Sequence, residues 1–418
     1  MIQKLKGTRD IIPGEIETWQ YIEKKAKEVF ENYGFSEIRT PVIEATELFQ
    51  RGVGEATDVV QKEMYVFNDK AGRSIALRPE GTAGVIRAFI ENGMSSMPSP
   101  IKLYYEMTMY RYENVQKGRQ REFHQIGTEL IGSESYMADV EIISMVSNFL
   151  KTLNINNVKL EINSIGCKNC RAEYIKALKD YIRPNLDKYC KTCQSRFEKN
   201  PMRILDCKEE QCKKLNQNAP QIIDYLCDEC KEHFENVKSS LNDLNIDYTI
   251  NSRIVRGLDY YTKTVFEFVS EDDGLTVVGG GRYDDLIEEL GGAKTPAIGF
   301  GAGEERLISV FEKSNQELLT KLRKTPEIFV AYIGKEAERF STKFVDDLRK
   351  NDIYASKDIM ERSLKAQIKY ADKIGAKYTI TIGDEEIKNQ KVSIKEMATG
   401  NTQEIAINEV SVFLKENM

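Results

Sequence analysis

The sequence predicts an α+β protein. An antiparallel-sheet domain is interrupted by a helical insertion and followed by a small α/β domain with a mixed sheet. Three observations carry this expectation. Residues 101–131 read as two long strands joined by a polar tip, and strand signals return in RIVRGLDYYTKTVFEFVS and LTVVGGGRYDDL. Between them, 166–245 holds all eight cysteines and is mostly helical in pattern. From 328 onward strand and helix patterns alternate, as in a separate α/β unit. The 418 residues suit two or three domains. The expected boundaries are 1–325, with the insertion at 166–245, and 326–418, with the polar run 314–327 as a linker.

Residues 14–33 are expected to form an amphipathic helix. Ile16, Trp19, Ile22, Ala26, Val29 and Tyr33 recur at helical spacing between Pro13 and the stop signal Gly34. FSEIRTPVIEA then reads as a strand that Pro41 breaks or confines to an edge. In 101–131, IKLYYEMTMYRYE and EFHQIGTELIG are the strands of a hairpin with the basic tip NVQKGRQR. Residues 138–153 place Ile142, Val146, Phe149 and Leu153 on one helix face. In the last domain IFVAYI, IYASKD and YTITIG are strands separated by two helices. KVSIKEM and QEIAI add two more strands, and NEVSVFLKE closes with a helix.

Composition removes several classes of function. Apolar residues make up 41% of the chain, enough for packed cores. No apolar run approaches the ~20 residues of a membrane helix, and the opening MIQKLKGTRDIIPGE has no stretch of signal-peptide length. A net charge of −6, from 60 basic and 66 acidic residues, excludes a uniformly basic nucleic-acid coat. Local basic faces survive: residues 167–214 carry 13 Lys and Arg against 7 Asp and Glu, the excess a phosphate backbone needs. Arg362, Lys365, Lys369 and Lys373 form a second basic stripe, or simply a solvated face. His124 and His233 are the only histidines, so chemistry built on several of them is excluded. His124 reads as a sheet residue.

A cytoplasmic location, where thiols stay reduced, is the expectation for a chain of this kind, and it turns the cysteines toward metal chemistry. They fall in four pairs: Cys167/Cys170, Cys190/Cys193, Cys207/Cys212 and Cys227/Cys230. The first two pairs fit a four-thiolate Zn2+ pattern by spacing, and the last two could form a second site. Spacing alone leaves open which pairs share an ion. Such a closed set would be structural.

Five segments carry further chemistry. In RYENVQKGRQREF, Arg111 and Glu113 are expected on one face of the incoming strand, where a guanidinium can grip a phosphate and a carboxylate can accept from an exocyclic amine. Arg119 and Arg121 at the tip suit further phosphates, and Phe123 suits stacking on a base. The plainer reading is a charged tip that keeps the hairpin soluble. In LRPEGTAGVIR, Glu80 and Thr82 could receive an ammonium group beside Gly81, or Thr82 could simply cap a helix. In RGLDYYT, Tyr260 and Tyr261 would face opposite ways in an extended segment, with one in a pocket and one in the core. GGGRYDDL is not a dinucleotide fingerprint; its glycines suit close approach of a ligand or a neighbouring strand. In AIGFGAGEERL small residues lead into a helix bearing Arg306, suited to a phosphate or to close packing.

Together KGTRDIIP, GFSEIRTPVIE, LRPEGTAG, YRYE with GRQREFHQIGTELIG, RGLDYYT with TVFE, GGGRYDDL and IGFGAGEERL resemble the histidyl-tRNA synthetases, a family of class II aminoacyl-tRNA synthetases. The match spans nearly the whole chain in the family's order. The resemblance implies a class II antiparallel catalytic core and a C-terminal anticodon-binding domain. It implies that Arg111 holds the ATP α-phosphate and borders the histidine site, that Glu113 reads the adenine amine, and that Phe123 stacks on the ring. Arg119 and Arg306 would hold the outer phosphates. Glu80, Thr82 and Gln125 would bind the histidine ammonium, Glu129 and Tyr261 the imidazole nitrogens, and Gly81 and Tyr260 would complete the pocket. Arg256, between carboxylate and α-phosphate, would stabilise the transition state. The resemblance also implies ATP with Mg2+, L-histidine and its tRNA as partners, and a homodimer built on 14–33 and the Pro41 segment, with no membrane association. Asp285 stands where many relatives have glycine, and the eight cysteines are not a general family feature.

Two other readings compete. One is the synthetase-like regulatory subunit of ATP phosphoribosyltransferase, which would sense histidine without aminoacylation; such paralogues usually lack the last domain and the arginines of activation, which this chain retains. The other, a zinc-dependent RNA-binding protein without catalysis, leaves the pocket segments idle. Histidine-dependent ATP–pyrophosphate exchange separates the three.

Overall fold

The computed structural model describes residues 2–54, 57–116, 118–207, 209–254 and 256–417. The chain divides into two compact units, Met1–Thr320 and Lys321–Met418.

An eight-stranded sheet organises the first unit. Its order is Ser36–Glu37, Ile101–Tyr110, Glu122–Ile131, Ala297–Gly303, Thr276–Arg282, Thr262–Ser270, Val158–Ser164 and Tyr248–Ile250. The inner pairings are antiparallel, whereas both edge strands pair in parallel. Pro41 splits its segment as expected: Ser36–Glu37 lies at the edge of this sheet, and Ile43–Ala45 joins a separate three-stranded sheet. The helix Ile16–Asn32 buries Trp19, Ile22, Ala26, Val29 and Phe30 on its apolar stripe. With Tyr136–Thr152, Asp228–Asp243 and Glu304–Ser314 it covers one face of the sheet; Phe30 packs against Tyr104, Phe149 and Phe300.

Beneath those helices lies a fully buried ion pair. Arg282 donates from Nε and Nη2 to Asp139 Oδ2 at 3.0 and 2.6 Å, and His233 Nε2 meets Asp139 Oδ1 at 3.1 Å. Arg282 also donates to the carbonyls of Ser133 and Ser135, so its desolvation is offset by a complete set of acceptors.

The cysteine-rich insertion is the crossover that the parallel pairing of Leu160 with Tyr248 requires. It is helical over Lys168–Ile182, Lys191–Lys199, Glu210–Leu215 and Asp228–Asp243. Tyr174, Leu178, Phe197 and Ile204 in it share one apolar cluster with Leu103, Tyr105 and Val265 of the sheet.

Two expectations change. The strand foreseen over RIVRGLDYYTKTVFEFVS is confined to Thr262–Ser270, because the preceding residues turn into the site. The expected linker contains a helix, Gln316–Leu322.

The second unit has the mixed sheet Ala355–Lys357, Ile328–Tyr332, Tyr378–Ile382, Lys391–Glu396 and Thr402–Ala406, parallel in its first three strands and antiparallel in its last two. The basic stripe is shorter than its sequence suggests. Arg362 precedes the helix Leu364–Lys373, is tied to Asp358 at 2.6 Å and lies 4.3 Å over the Tyr370 ring. Lys365, Lys369 and Lys373 remain exposed.

Candidate active site

The hairpin of Ile101–Tyr110 and Glu122–Ile131 supplies one wall of a cavity of about 330 Å³. Arg111 and Glu113 do not share a strand face as expected, because the strand ends at Tyr110. They meet in the irregular segment beyond it. Arg111 Nη1 lies 3.8 Å from Glu113 Oε1, and Arg119 Nη1 lies 3.3 Å from Oε2. Arg111 Nε donates to the Pro79 carbonyl at 2.8 Å, and its guanidinium sits 5.2 Å from the centre of the Phe123 ring. Arg121 at the tip turns away, 4.0 Å over the Tyr112 ring.

Of the residues singled out in the sequence, Glu80, Thr82, Arg111, Glu113, Arg119, Phe123, Gln125, Arg256, Tyr260, Tyr261 and Arg306 all line this cavity. Gly81 and Glu129 sit behind its wall. Gly81 lies where an added Cβ would come 2.5 Å from the Tyr105 ring, so only glycine lets that ring close on the backbone. Glu129 is fully buried. Its Oε1 accepts from Thr82 Oγ1 at 2.7 Å, and its Oε2 is hydrogen-bonded to the Tyr283 hydroxyl. Burial pushes its carboxyl up to about 8.

Tyr283 and Tyr105 escaped the sequence reading. The signal was present, since Tyr283 belongs to GGGRYDDL and Tyr105 to the aromatic-rich strand, but nothing in either segment says which face a tyrosine takes. Thr82 is not a cap. It is the first residue of the helix Thr82–Glu91, and the Glu80 carboxylate accepts from the Thr82 and Ala83 N–H groups at 2.9 and 2.7 Å.

The small residues of Ala297–Gly303 have a specific use. Gly299 pairs with Glu129, and Gly301 with Gly127, two residues along the strand from Gln125. A Cβ at Gly299 would lie 2.0 Å from Glu129 Oε2, and one at Gly301 2.0 Å from Gln125 Nε2. These two glycines open the slots in which the polar side chains of the neighbouring strand lie flat. Gln125 Oε1 is buried without a hydrogen-bond partner among the described residues.

At the other end Arg256 is ion-paired with Glu267, whose other oxygen accepts from Thr276 Oγ1 at 2.7 Å. The three glycines of GGGRYDDL lie inside the strand Thr276–Arg282, and Gly279 faces the Arg256 guanidinium. Tyr260 and Tyr261 do not face opposite ways. Their rings lie 4.7 Å apart and both reach the cavity, because the backbone there is not extended. Arg306 donates to the Thr276 carbonyl at 2.9 Å. Burial, followed by the charge of Arg119, lowers its pKa from the usual arginine value, as fits cations gathered around a space for an anion.

The chain that joins four guanidinium groups, a buried acid and two tyrosines around this cavity matches a known family by its sequence. The family described as "Histidyl-tRNA synthetase" matches residues 7–307, and "Anticodon binding domain" matches 327–417. The chain is 58% identical to the "Histidine--tRNA ligase" of Acetivibrio thermocellus, over 99% of this chain and 100% of that one. It belongs to the histidyl-tRNA synthetase family. The enzyme of the same description from Caldanaerobacter subterraneus is 51% identical over 98% of each chain. The crystal structure of apo S. aureus histidyl-tRNA synthetase superposes with a TM-score of 0.84 at 40% identity, covering 99% of this chain and 100% of that one. A Bacillus halodurans structure described as an ATP phosphoribosyltransferase regulatory subunit/histidyl-tRNA synthetase, with a TM-score of 0.65 at 21% identity, shares the fold alone.

The cysteines of this synthetase-family chain gather in two sets that differ from the spacing-based expectation. Cys167, Cys170, Cys227 and Cys230 form one, and Cys190, Cys193, Cys207 and Cys212 the other, each with its sulfurs within 4.8 Å of one another. The first pair is joined to the last because the insertion returns to the sheet where it left it.

Proposed function

We propose the following division of labour in a chain that activates histidine with ATP and transfers it to tRNA. Arg111 holds the α-phosphate, with Glu113 on the adenine amine and Phe123 on the ring face. Arg119 and Arg306 take the outer phosphates, and Mg2+ accompanying ATP would supply further positive charge at that end. Glu80, Thr82 and Gln125 receive the histidine ammonium; the unpartnered Gln125 Oε1 supports this, because it offers an acceptor where an N–H donor is due. Glu129 and Tyr261 take the imidazole nitrogens, with Gly81 and Tyr260 closing the pocket. An amino acid without ring nitrogens gains neither of these hydrogen bonds, and this lost binding supplies discrimination.

The histidine carboxylate attacks the α-phosphorus, forming the carboxylate-to-phosphorus bond as pyrophosphate leaves. The 3′-hydroxyl of the terminal tRNA adenosine then attacks the acyl carbon and releases AMP. No protein nucleophile is needed. Positioning and fixed charge supply the rate, with Arg256 beside the carboxylate and the phosphorus.

The single observation that carries this reading is the pair of slots at Gly299 and Gly301, which seat Glu129 behind, and Gln125 in, the wall of a cavity that also gathers Arg111, Arg256 and Arg306. Histidine-dependent ATP–pyrophosphate exchange tests it. Arg256→Ala should lose exchange by about 10²–10³-fold with unchanged thermal melting, the usual cost of removing one transition-state donor. Near-normal exchange in that variant refutes the role.

The domain boundaries 1–325 and 326–418 carry the same proposal. The insertion at 166–245 lies over the acceptor stem and holds structural zinc, and the last unit reads the anticodon with the exposed lysines Lys365, Lys369 and Lys373 at hand. We propose a cytoplasmic homodimer. Val42, Ile43, Val66 and Phe67 leave apolar surface exposed on the small sheet beside the Pro41 segment, which is the kind of surface a second copy covers.

A further inference from the structure

We infer that the insertion binds two zinc ions in a nested arrangement, and that the outer ion positions the Tyr261 end of the histidine pocket. The Cys167/Cys170/Cys227/Cys230 set is the outer site and the Cys190/Cys193/Cys207/Cys212 set the inner one. The coupling to the pocket rests on the synthetase reading; the two metal sites do not.

Sulfur spacing supports metal over disulfides. Four thiolates about a zinc ion with bonds of about 2.3 Å lie roughly 3.8 Å apart. Cys167 and Cys170 sulfurs are 3.5 Å apart, and those of Cys190 and Cys207 are 3.9 Å apart. A disulfide demands about 2.05 Å. The surroundings are built for thiolate charge. The Cys227 N–H donates to Cys170 Sγ at 3.1 Å, and the Cys190 N–H donates to Cys212 Sγ at 3.3 Å. Cys167, Cys190 and Cys227 each stand at the N-cap of a helix, at its positive end. Cys170, Cys193, Cys207, Cys212 and Cys230 are buried.

The outer site stands where chain leaves and re-enters the sheet. Gly166, at φ +64, leaves no room for a Cβ, which would lie 2.5 Å from Cys170 Cβ. The adjoining backbone is laced to the start of the strand Thr262–Ser270. The Lys263 N–H donates to the Gly166 carbonyl at 3.0 Å, and the Ile165 N–H donates to the Lys263 carbonyl at 2.8 Å. Arg171 Nη1 donates to the Tyr261 carbonyl at 3.1 Å, and Lys263 Nζ reaches Glu229, next to Cys230, at 2.8 Å. Lys263 itself has φ 47, a left-handed conformation that a lysine keeps only when its surroundings enforce it. An ion in the outer site therefore fixes the two helix starts that hold Tyr261 and Lys263. The inner ligands make none of these contacts.

Metal analysis of the full chain, purified without chelator under reducing conditions, should find two zinc ions per chain; fewer overturns the claim. Pairing is read by replacing whole sets. The chain with C167A, C170A, C227A and C230A should keep one ion, whereas pairing of neighbours along the sequence would leave none. The wild-type chain gives the same information without substitutions: limited chelator treatment followed by alkylation should expose cysteines in the two nested sets. Exposure of Cys167 and Cys170 together with Cys190 and Cys193 refutes the arrangement. For the coupling, C227A/C230A should raise the KM for histidine in exchange by about tenfold with a smaller effect on the KM for ATP, whereas C207A/C212A should leave the histidine KM near wild type. Equal effects from the two sites refute the positioning role. Absence of exchange in the wild type would refute the synthetase reading instead, with the zinc count untouched.

Discussion

Replacing Gly279 with alanine should displace Arg256 without adding or removing charge. The added Cβ would lie 2.5 Å from Arg256 Nη2, 2.6 Å from Nη1 and 2.7 Å from Cζ. Ordinary contact begins near 3.4 Å, so the guanidinium must retreat by about 0.9 Å. The strand cannot give way instead, since Thr276–Arg282 is paired on both sides. Its backbone at Gly279 needs no left-handed φ, so alanine itself is unstrained. The side chain that moves is flexible and the cost in stability is small, but the moved group is the one proposed to stand beside the reacting phosphorus. A misplacement of about 1 Å costs on the order of 10²-fold in rate, or about 2.7 kcal/mol. Gly279→Ala should therefore lose pyrophosphate exchange by about that factor, chiefly in kcat, while its melting temperature stays near wild type. Wild-type exchange with a folded protein would show that the position of Arg256 does not limit activation. A collapsed melting temperature would show that the strand, not the guanidinium, had yielded.

Glu129 should give the unliganded protein a pH dependence. Its folded pKa of about 8 lies above the usual carboxyl value of 4.5, so its contribution to stability is fully present below pH 4.5 and is lost as pH rises through 8. Melting from pH 5 to 8 should show the wild type falling relative to Glu129→Gln, by up to about 1.4 kcal/mol per pH unit; parallel curves would refute the buried neutral acid. Asp139→Asn removes one of the two carboxylates paired with the buried Arg282, leaving Asp284 at 3.1 Å, and should destabilise the first unit by up to about 3 kcal/mol in denaturant unfolding, whereas pairing it with Arg282→Met should recover much of the loss. Phe123→Ala should raise the KM for ATP, since stacking on a base is worth about 1–3 kcal/mol, with little change in the KM for histidine. Equal changes in both constants would place the adenine elsewhere.

The sequence by itself determined the chemistry available and the local elements that carry it. Periodicity placed a helix over 14–33, found at Ile16–Asn32, and the long hairpin, because both bury one face of a regular element. Pro41 marked a break, because proline cannot serve a central strand. RGLDYYT, GGGRYDDL and AIGFGAGEERL announced a site, although not its geometry. What tertiary structure decided were contacts between residues far apart in the chain. Tyr260 and Tyr261 share one cavity only because the backbone turns before the strand begins. Tyr283 reaches Glu129 across the sheet, 154 residues away. Gly299 and Gly301 acquire meaning only from the register, which sets Gly299 opposite Glu129 and lets the Gln125 side chain lie over Gly301. The cysteines show the same division. Their spacing gives four pairs, but spacing counts residues along the chain, whereas a metal site needs sulfurs that meet in space. The return of the crossover to the sheet alone brings Cys227 and Cys230 to Cys167 and Cys170.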